Sequence, residues 1–275
     1  MRKTFFFMAG LPRSGSNLLT AILNQHPEVH ASPQTDILQL MYVLDQTFRN
    51  GESYRLGHYQ KEYEKLPLSL IETFYEGIDK PYIIDKNRSW STPYNLEVAK
   101  KINPNVKIIA PIRNILDILA SFVRLLESNR GNNIFDRDMI SSEFSPMYYR
   151  DLNEARCDWL MAHNSQLERS ILALSSALKP EHKNKFHFVP YEELVENPKQ
   201  TMTNIYNFLE IEDCQHDFQN IRQLNAVNTQ QVFGLSEIHK VRPTMSKTKT
   251  NYESVLSEYT INKYRGTLDF LDRLS

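Results

Sequence analysis

Residues 4–23 read TFFFMAGLPRSGSNLLTAIL, and this stretch decides the fold. An apolar run at 4–9 leads into a glycine turn, and apolar residues at helical spacing follow at 18–23. A short apolar run that ends in a turn is typical of a buried parallel strand. A strand, a glycine turn and a helix start together form the arrangement in which backbone N–H groups surround an anion. The stretch therefore predicts an anion-binding loop in an α/β fold.

The glycine loop (residues 10–17) departs from the loop of nucleotide triphosphatases. Gly10 and Gly15 have the G-x-x-x-x-G spacing, but Ser16 and Asn17 stand where a Lys and a Ser or Thr would contact phosphate and magnesium. Arg13 instead offers a fork of donors suited to phosphate or sulfonate oxygens. The alternative is an ordinary strand-to-helix turn in which a serine caps the helix and Arg13 is solvated, and the residues alone leave both open.

Outward from this loop, the chain alternates strand and helix patterns without repeats or a linker. Such alternation predicts one α/β domain over residues 1–275, with a P-loop-type parallel sheet and helices on both faces. Sites in these folds collect at the carboxyl ends of the strands. The predicted strands are 4–9, 82–84, 106–112 and 186–189, and the predicted helices are 18–23, 36–48, 92–102, 115–126 and 153–178.

The composition argues against a protein that binds nucleic acid or spans a membrane. The 32 Lys and Arg nearly cancel the 33 Asp and Glu, so no overall positive field is available for nucleic acid or an anionic membrane. Cys157 and Cys214 lie in no metal-ligand spacing and indicate a reducing compartment. No segment approaches the roughly 18 apolar residues of a membrane span, and the run at 5–9 is too short for a secretory signal. We expect a cytoplasmic protein without a metal site.

Two further strand ends carry basic side chains. Arg113 follows the strand at 106–112, and Ser121 lies eight positions later, about two turns into the next helix, where both could face one phosphate. Alternatively, Arg113 pairs with Asp117 while Ser121 fills a gap between apolar residues. Lys86 follows the strand at 82–84, which places a compact ammonium at the same edge of the sheet; a competing interpretation places Asp85 on magnesium and Lys86 in solvent.

These motifs resemble those of sulfotransferases that use 3′-phosphoadenosine 5′-phosphosulfate (PAPS). Residues 9–19, AGLPRSGSNLL, are similar to the family's 5′-phosphosulfate loop, particularly in the branch that includes the tyrosylprotein enzymes, and Arg113 with Ser121 is similar to its 3′-phosphate motif. The resemblance implies sulfuryl transfer to an acceptor hydroxyl or amine, with release of adenosine 3′,5′-bisphosphate. By resemblance, the 5′-phosphosulfate lies against Arg13, Ser14, Gly15, Ser16 and Asn17.

Three more residues match the family by position. Lys86 matches the strand-end lysine that contacts the donor and leaving group, and Tyr191, in FVPYEEL, matches the tyrosine beside the adenine. A packed loop tyrosine is the alternative for Tyr191. Lys247, in the basic loop 239–249, is the best-placed match for a lysine that covers the 3′-phosphate. Without the resemblance, that loop is a solvated charged segment.

The family's general base is missing from its usual places. The positions of its Glu and His hold Gln34 and Arg88, neither of which accepts a proton usefully near neutral pH. Asp36 is the nearest carboxylate and is our candidate for the base, although it could equally be a charge at a helix start. His26 and His30 are weaker candidates.

The acceptor class does not follow from the sequence. Segments 49–66 and 128–147 are expected to form the acceptor-side walls. Two other functions remain open: a P-loop kinase with an altered loop, which would bind ATP with magnesium, and a noncatalytic nucleotide-binding module.

Overall fold

Five strands form one fully parallel sheet: β1 (Thr4–Met8), β2 (Val29–Gln34), β3 (Tyr82–Lys86), β4 (Ile108–Ile112) and β5 (Phe186–Pro190). Their order is β2-β3-β1-β4-β5, which places β1 at the centre. The computed structural model describes residues 2–131, 133–223, 229–236, 240–245 and 251–269. The predicted α/β fold with a parallel sheet is confirmed.

The strand β2 was missed because its sequence, VHASPQ, is not an apolar run. Only Val29, Ala31 and Ser32 are buried in it. An edge strand has one neighbour and tolerates polar residues and a proline such as Pro33, because half of its backbone groups need no partner strand. The register along β3 shifts after Ala31, and the shift sets Gln34 beside Lys86.

Helices surround the sheet. In the described residues they are α1 (Ser16–Leu23), α2 (Ile37–Asn50), α3 (Glu52–Arg55), α4 (Gln60–Tyr63), α5 (Leu66–Phe74), α6 (Pro93–Ile102), α7 (Ile115–Ser128), α8 (Ile134–Ile140), α9 (Leu152–Met161), α10 (Gln166–Ser175), α11 (Tyr191–Glu196), α12 (Pro198–Leu209), α13 (Thr229–Phe233) and α14 (Glu258–Tyr264). Short 3₁₀ turns at Arg88–Ser91, Pro146–Tyr148, Ser176–Leu178, Pro180–Lys185 and Tyr252–Ser254 join some of them.

The prediction of one continuous helix over 153–178 was wrong. The chain breaks between α9 and α10, where Asn164 takes a left-handed φ of 64°. The Ser165 hydroxyl then accepts a hydrogen bond from the Glu168 backbone N–H at 3.0 Å and starts the second helix. Ser followed three positions later by Glu is a helix-start signal inside an otherwise helical pattern.

Two apolar layers, one on each face of the sheet, explain why β1 and β4 are nearly continuous apolar runs. Phe5 and Phe7 of β1 belong to the layer that packs α7, whereas Phe6 and Met8 belong to the layer that packs α1 and α12. Alternate residues of a strand point to opposite faces, so a strand covered on both sides is apolar at every position. None of the helices in the described ranges has the length and apolar character needed to cross a bilayer.

Candidate functional site

The glycine loop joins β1 to α1 and depends on left-handed backbone angles. Gly10, Arg13 and Gly15 have φ values of 104°, 60° and 85°. The loop ends where α1 begins at Ser16, and the first N–H groups of a helix have no partner within it. Those N–H groups and the positive helix end form an anion-binding position next to Arg13.

Ser14 stabilises the interior of this loop. Its side chain is fully buried, and the hydroxyl lies 2.5 Å from the Leu11 carbonyl oxygen and 2.9 Å from that of Pro111. The Leu11 N–H donates to the same Pro111 oxygen at 3.0 Å. Ser14 therefore fixes the loop against the end of β4, and only its backbone remains to contact an anion.

The two predicted anion-binding arginines are in contact with one another. The Arg13 Nε donates to the Ser121 hydroxyl at 3.2 Å, and the Arg113 Nη1 donates to the Arg13 carbonyl oxygen at 3.3 Å. Burial, and next the charge of Arg113, lowers the pKa of Arg13. Ser121 thus faces a guanidinium rather than filling an apolar gap. The carboxyl ends of β1 and β4 bring both guanidinium groups to one edge of the sheet.

Tyr191, the first residue of α11, closes the same edge. The Arg113 guanidinium carbon lies 4.2 Å from the centre of the Tyr191 ring. A Cβ at Gly15 would come within 2.7 Å of that ring, so the glycine permits the close approach. The tyrosine is packed, as one alternative predicted, and it also lines the cleft described below.

Lys86 ends β3 with its ammonium directed at the start of α1. Its Nζ donates to the Asn17 side-chain oxygen at 2.7 Å and lies 3.4 Å from the Thr20 hydroxyl. Lys86 is only 5% exposed. Burial, reinforced by the charge of Arg88, lowers its pKa to about 8.

Asp85 does not take part in a magnesium site as the competing interpretation required. It is fully buried and accepts hydrogen bonds from Thr35 Oγ1 at 2.7 Å, Tyr75 Oη at 2.5 Å and Trp90 Nε1 at 2.7 Å. Burial raises the pKa of its carboxyl. In the ranges that the structure describes, no group of three or more His, Cys, Asp or Glu side chains could hold a metal ion.

One cleft of about 720 Å³ lies along the carboxyl edge of the sheet, a size in the usual range for nucleotide-sized ligands. Its walls contain the predicted residues Arg13, Gly15, Ser16, Asn17, Lys86, Arg113, Ser121 and Tyr191. One cleft therefore contains both predicted anion-binding positions, the glycine loop and Arg113 with Ser121. Lys247 lies outside the described residues.

Asp36, the candidate base, does not line this cleft. It is exposed at the start of α2, in keeping with the alternative of a charge at a helix start. The prediction that it acts on the acceptor is therefore not supported by its position. His30 and the buried His26 do not line the cleft either.

The described part of the cleft wall carries charged side chains of one sign only, all of them cationic. It contains Arg13, Lys86, Arg88, Arg113, Arg124, Lys240 and Arg242, and no Asp, Glu or His of the described ranges. The sequence analysis missed Arg124, although Ser121, Arg124, Leu125 and Ser128 recur at the 3–4–7 spacing of one helix face. Lys240 and Arg242 show that the late basic segment reaches the cleft.

Bisphosphate binding should depend on the charge of Lys86. An anion favours the ammonium form, which is present below pH 8 and lost as the pH rises through that value. We expect the affinity for adenosine 3′,5′-bisphosphate, measured by calorimetry, to fall about three- to tenfold from pH 7 to pH 9. Lys86→Met should bind more weakly and with little pH dependence, whereas Lys199→Met, an exposed lysine on α12, should follow the wild type. An unchanged profile in Lys86→Met would remove Lys86 as the cause.

Comparison with known proteins places this geometry among sulfotransferases. A family model described as "Sulfotransferase domain" matches residues 3–269. A Caenorhabditis briggsae protein named "Putative protein-tyrosine sulfotransferase" is 24% identical over 98% of this chain and 87% of its own length. The sulfotransferase domain from the curacin biosynthetic pathway superposes with a TM-score of 0.61 at 17% identity, covering 98% of both chains. Mouse sulfotransferase SULT7A1, complexed with PAP, gives a TM-score of 0.51 at 14% identity, covering all of this chain and 90% of the other.

Proposed function

The chain belongs to the sulfotransferase domain family and is a PAPS-dependent sulfotransferase, and we propose that it transfers the sulfuryl group to a tyrosine hydroxyl of a protein acceptor. The observation that supports PAPS as the donor is the cationic cleft that contains both the glycine loop and Arg113. PAPS carries a phosphosulfate at one end of adenosine and a phosphate at the other, so it needs two anion-binding positions.

The residues of the cleft fit that donor. Arg13 and the backbone at the start of α1 hold the 5′-phosphosulfate, since a helix N-terminus and a guanidinium together favour several anionic oxygens. Arg113, fixed by the Tyr191 ring and by the Arg13 carbonyl oxygen, holds the 3′-phosphate with Ser121. The Tyr191 ring also offers an apolar surface near the adenine of PAPS.

Lys86 stabilises the leaving group. PAPS supplies an activated sulfuryl group, and negative charge grows on the bridging oxygen as the sulfur–oxygen bond breaks. The Lys86 ammonium, positioned by Asn17 and itself largely buried, can offset that charge.

The acceptor proposal rests on the named relative, a protein-tyrosine sulfotransferase by its printed name. The test is a PAPS consumption assay with tyrosine peptides, serine peptides, small phenols and amines, with mass spectrometry for an added sulfo group. Sulfation of tyrosine peptides supports the proposal. Turnover confined to amines or aliphatic alcohols would overturn the choice of acceptor.

A binding experiment separates the enzyme from the two other functions. Adenosine 3′,5′-bisphosphate should raise the melting temperature in EDTA, and ATP with magnesium should raise it less. Arg113→Met should weaken bisphosphate binding about 10- to 100-fold, because a charge-assisted contact is lost. The matched control is Arg2→Met, an exposed arginine at the opposite edge of the sheet. A larger shift with magnesium ATP would favour the kinase, and bisphosphate binding without any turnover would favour the noncatalytic module.

A further inference from the structure

A buried hydrogen-bond network joins the ends of β2 and β3. Asp85 accepts from Thr35, just beyond β2, and from Trp90, in the 3₁₀ turn after β3. Asn87 donates to the Thr35 carbonyl oxygen at 2.8 Å, and its side-chain oxygen accepts from the Ser89 N–H at 3.0 Å. The residues on either side of Arg88 are thereby fixed, which holds the backbone of Arg88 in place at the cleft.

Arg88 lines the cleft beside Lys86 and Gln34. Gln34 lies opposite Lys86 in the sheet register, so all three belong to the same corner of the cleft. Burial lowers the pKa of Arg88 to about 10, and its charge acts on Lys86. The corner therefore carries a buried cation, Lys86, beside a half-buried one, Arg88, and a neutral amide.

This corner lacks an acid to balance its charge. Within the described ranges, Arg88 makes no ion pair with a carboxylate, and the cleft wall contains none. A poorly hydrated guanidinium without a counter-charge favours an anionic ligand. Arg13 and Arg113 lie at the ends of other strands and are assigned to the donor, whereas Arg88 shares its corner with Lys86 and Gln34, so we assign it to the acceptor side.

A protein base is also missing from this corner. Gln34 has no basic site of useful strength, and Arg88 stays protonated near neutral pH. Yet a nucleophile must lose its proton before or during attack. The acceptor oxygen itself is thus the group that can become the anion.

We propose that Arg88, together with Lys86, binds the acceptor oxygen as an oxyanion, so that the enzyme selects phenols, which ionise without help from a protein base. This proposal rests on the proposed function and specifies how its acceptor is activated. An opposite charge within about 4–6 Å lowers the pKa of an acid by about 1 to 3. That shift brings a phenol, with an ordinary pKa of about 10, close to the working pH. An aliphatic hydroxyl, a far weaker acid, stays protonated.

The transfer balances without a protein proton acceptor. The phenol releases its proton to solvent on binding, and the phenolate oxygen forms a bond to the donor sulfur. The bond between that sulfur and the bridging oxygen of the 5′-phosphate breaks. The bridging oxygen keeps the electron pair and leaves as part of adenosine 3′,5′-bisphosphate, with Lys86 offsetting its charge.

The first test measures ionisation without turnover. 4-Nitrophenol, an acidic phenol with a coloured phenolate, is titrated by absorbance in the complex of enzyme and bisphosphate. The pKa of the bound phenol should be lower than in free solution by 1 or more, and Arg88→Met should remove most of that difference. Arg88→Lys should retain part of it, and Arg2→Met should match the wild type. No binding of the phenol, or the same pKa in Arg88→Met, would overturn the proposal.

The second test measures rate against acceptor acidity. For a tyrosine peptide, kcat/KM should rise with pH up to about 8, where Lys86 begins to lose its charge. Arg88→Met should cost about 10- to 100-fold with this acceptor and much less with 4-nitrophenol, which ionises unaided. An equal loss for both acceptors would indicate a structural or donor-binding role for Arg88. The other ionisable groups of the described cleft wall are Arg13, Arg113, Arg124, Lys240, Arg242 and Tyr191.

Two controls distinguish the proposed role of Arg88 from a histidine base and from the proposal of a tyrosine acceptor. His239 lies outside the described residues, and His239→Ala should keep the rising pH profile. A loss of about 100-fold or more with a flattened profile would instead identify a histidine base and overturn the proposal. If tyrosine peptides are not sulfated while the bound phenol still ionises through Arg88, the acceptor proposal fails and the role of Arg88 stands.

Discussion

Lys86→Met is expected to lower kcat about 100- to 1000-fold with little change in folding stability. The ammonium is positioned before the reaction by Asn17 and is buried, so it stabilises charge on the leaving oxygen without reorganisation. Removing one such preorganised group typically costs about 2.7–4 kcal/mol of transition-state stabilisation. Methionine keeps most of the apolar length of the side chain and removes the ammonium, with its charge and its hydrogen bond to Asn17.

The pattern of kinetic constants distinguishes this role from simple binding. If Lys86 acts mainly on the leaving group, kcat falls much more than the affinity for bisphosphate, which we expect to weaken by no more than about tenfold at pH 7. Lys199→Met, on the exposed surface of α12, should leave both quantities unchanged. A loss of only a few-fold in kcat would show that another group carries the charge of the leaving oxygen.

The loop and the second arginine were predictable because both follow strands with strong apolar signals. Parallel strands end at one edge, so Arg13 after β1 and Arg113 after β4 had to converge once the strands were recognised. The resemblance to sulfotransferase motifs then assigned the 5′-phosphosulfate to Arg13 and the 3′-phosphate to Arg113. The structure adds what spacing cannot provide, namely the contact between the two arginines and the stacking of Arg113 on Tyr191.

The corner of the cleft that contains Gln34, Lys86 and Arg88 was less predictable. It depends on β2, whose polar sequence lacks the apolar pattern of a buried strand. Without β2, the position of Gln34 relative to Lys86 is unknown, and Asp36 looks like an equally good neighbour. The register shift turns Gln34 to the cleft, while Asp36 is exposed at a helix start. A bulge in an edge strand leaves no hydrophobic pattern, so the sequence could not rank the two.

The position of Arg88, in the 3₁₀ turn after β3, was also not predictable from the local sequence. In the sequence it is one basic residue between an asparagine and a serine. In the structure, Asn87 and Trp90 attach its turn to Thr35 and Asp85, which converts a solvated charge into a fixed part of the cleft wall. Long-range hydrogen bonds of this kind are set by tertiary contacts and leave no local periodicity.

Gly10→Ala is expected to be the most damaging small substitution in the glycine loop. Gly10 has a φ of 104°, and an added Cβ would lie 2.5 Å from the Pro111 carbonyl oxygen. That oxygen also accepts the Leu11 N–H and lies near the Ser14 hydroxyl, so it cannot move away without breaking the attachment of the loop to β4. Backbone strain and overpacking each cost about 1–3 kcal/mol, so the free energy of unfolding should fall by about 2–6 kcal/mol.

The same substitution should also remove bisphosphate binding, because the loop can relieve the clash only by withdrawing Arg13 from the end of β4. Denaturant unfolding measures the first effect and calorimetry of the folded fraction measures the second. Gly77→Ala is the matched control, since a Cβ there meets no atom within 4 Å. A Gly10→Ala protein that unfolds within 1 kcal/mol of the wild type and binds bisphosphate equally well would show that β4 does not constrain the loop, and that Arg13 is positioned by α1 and Ser121 alone.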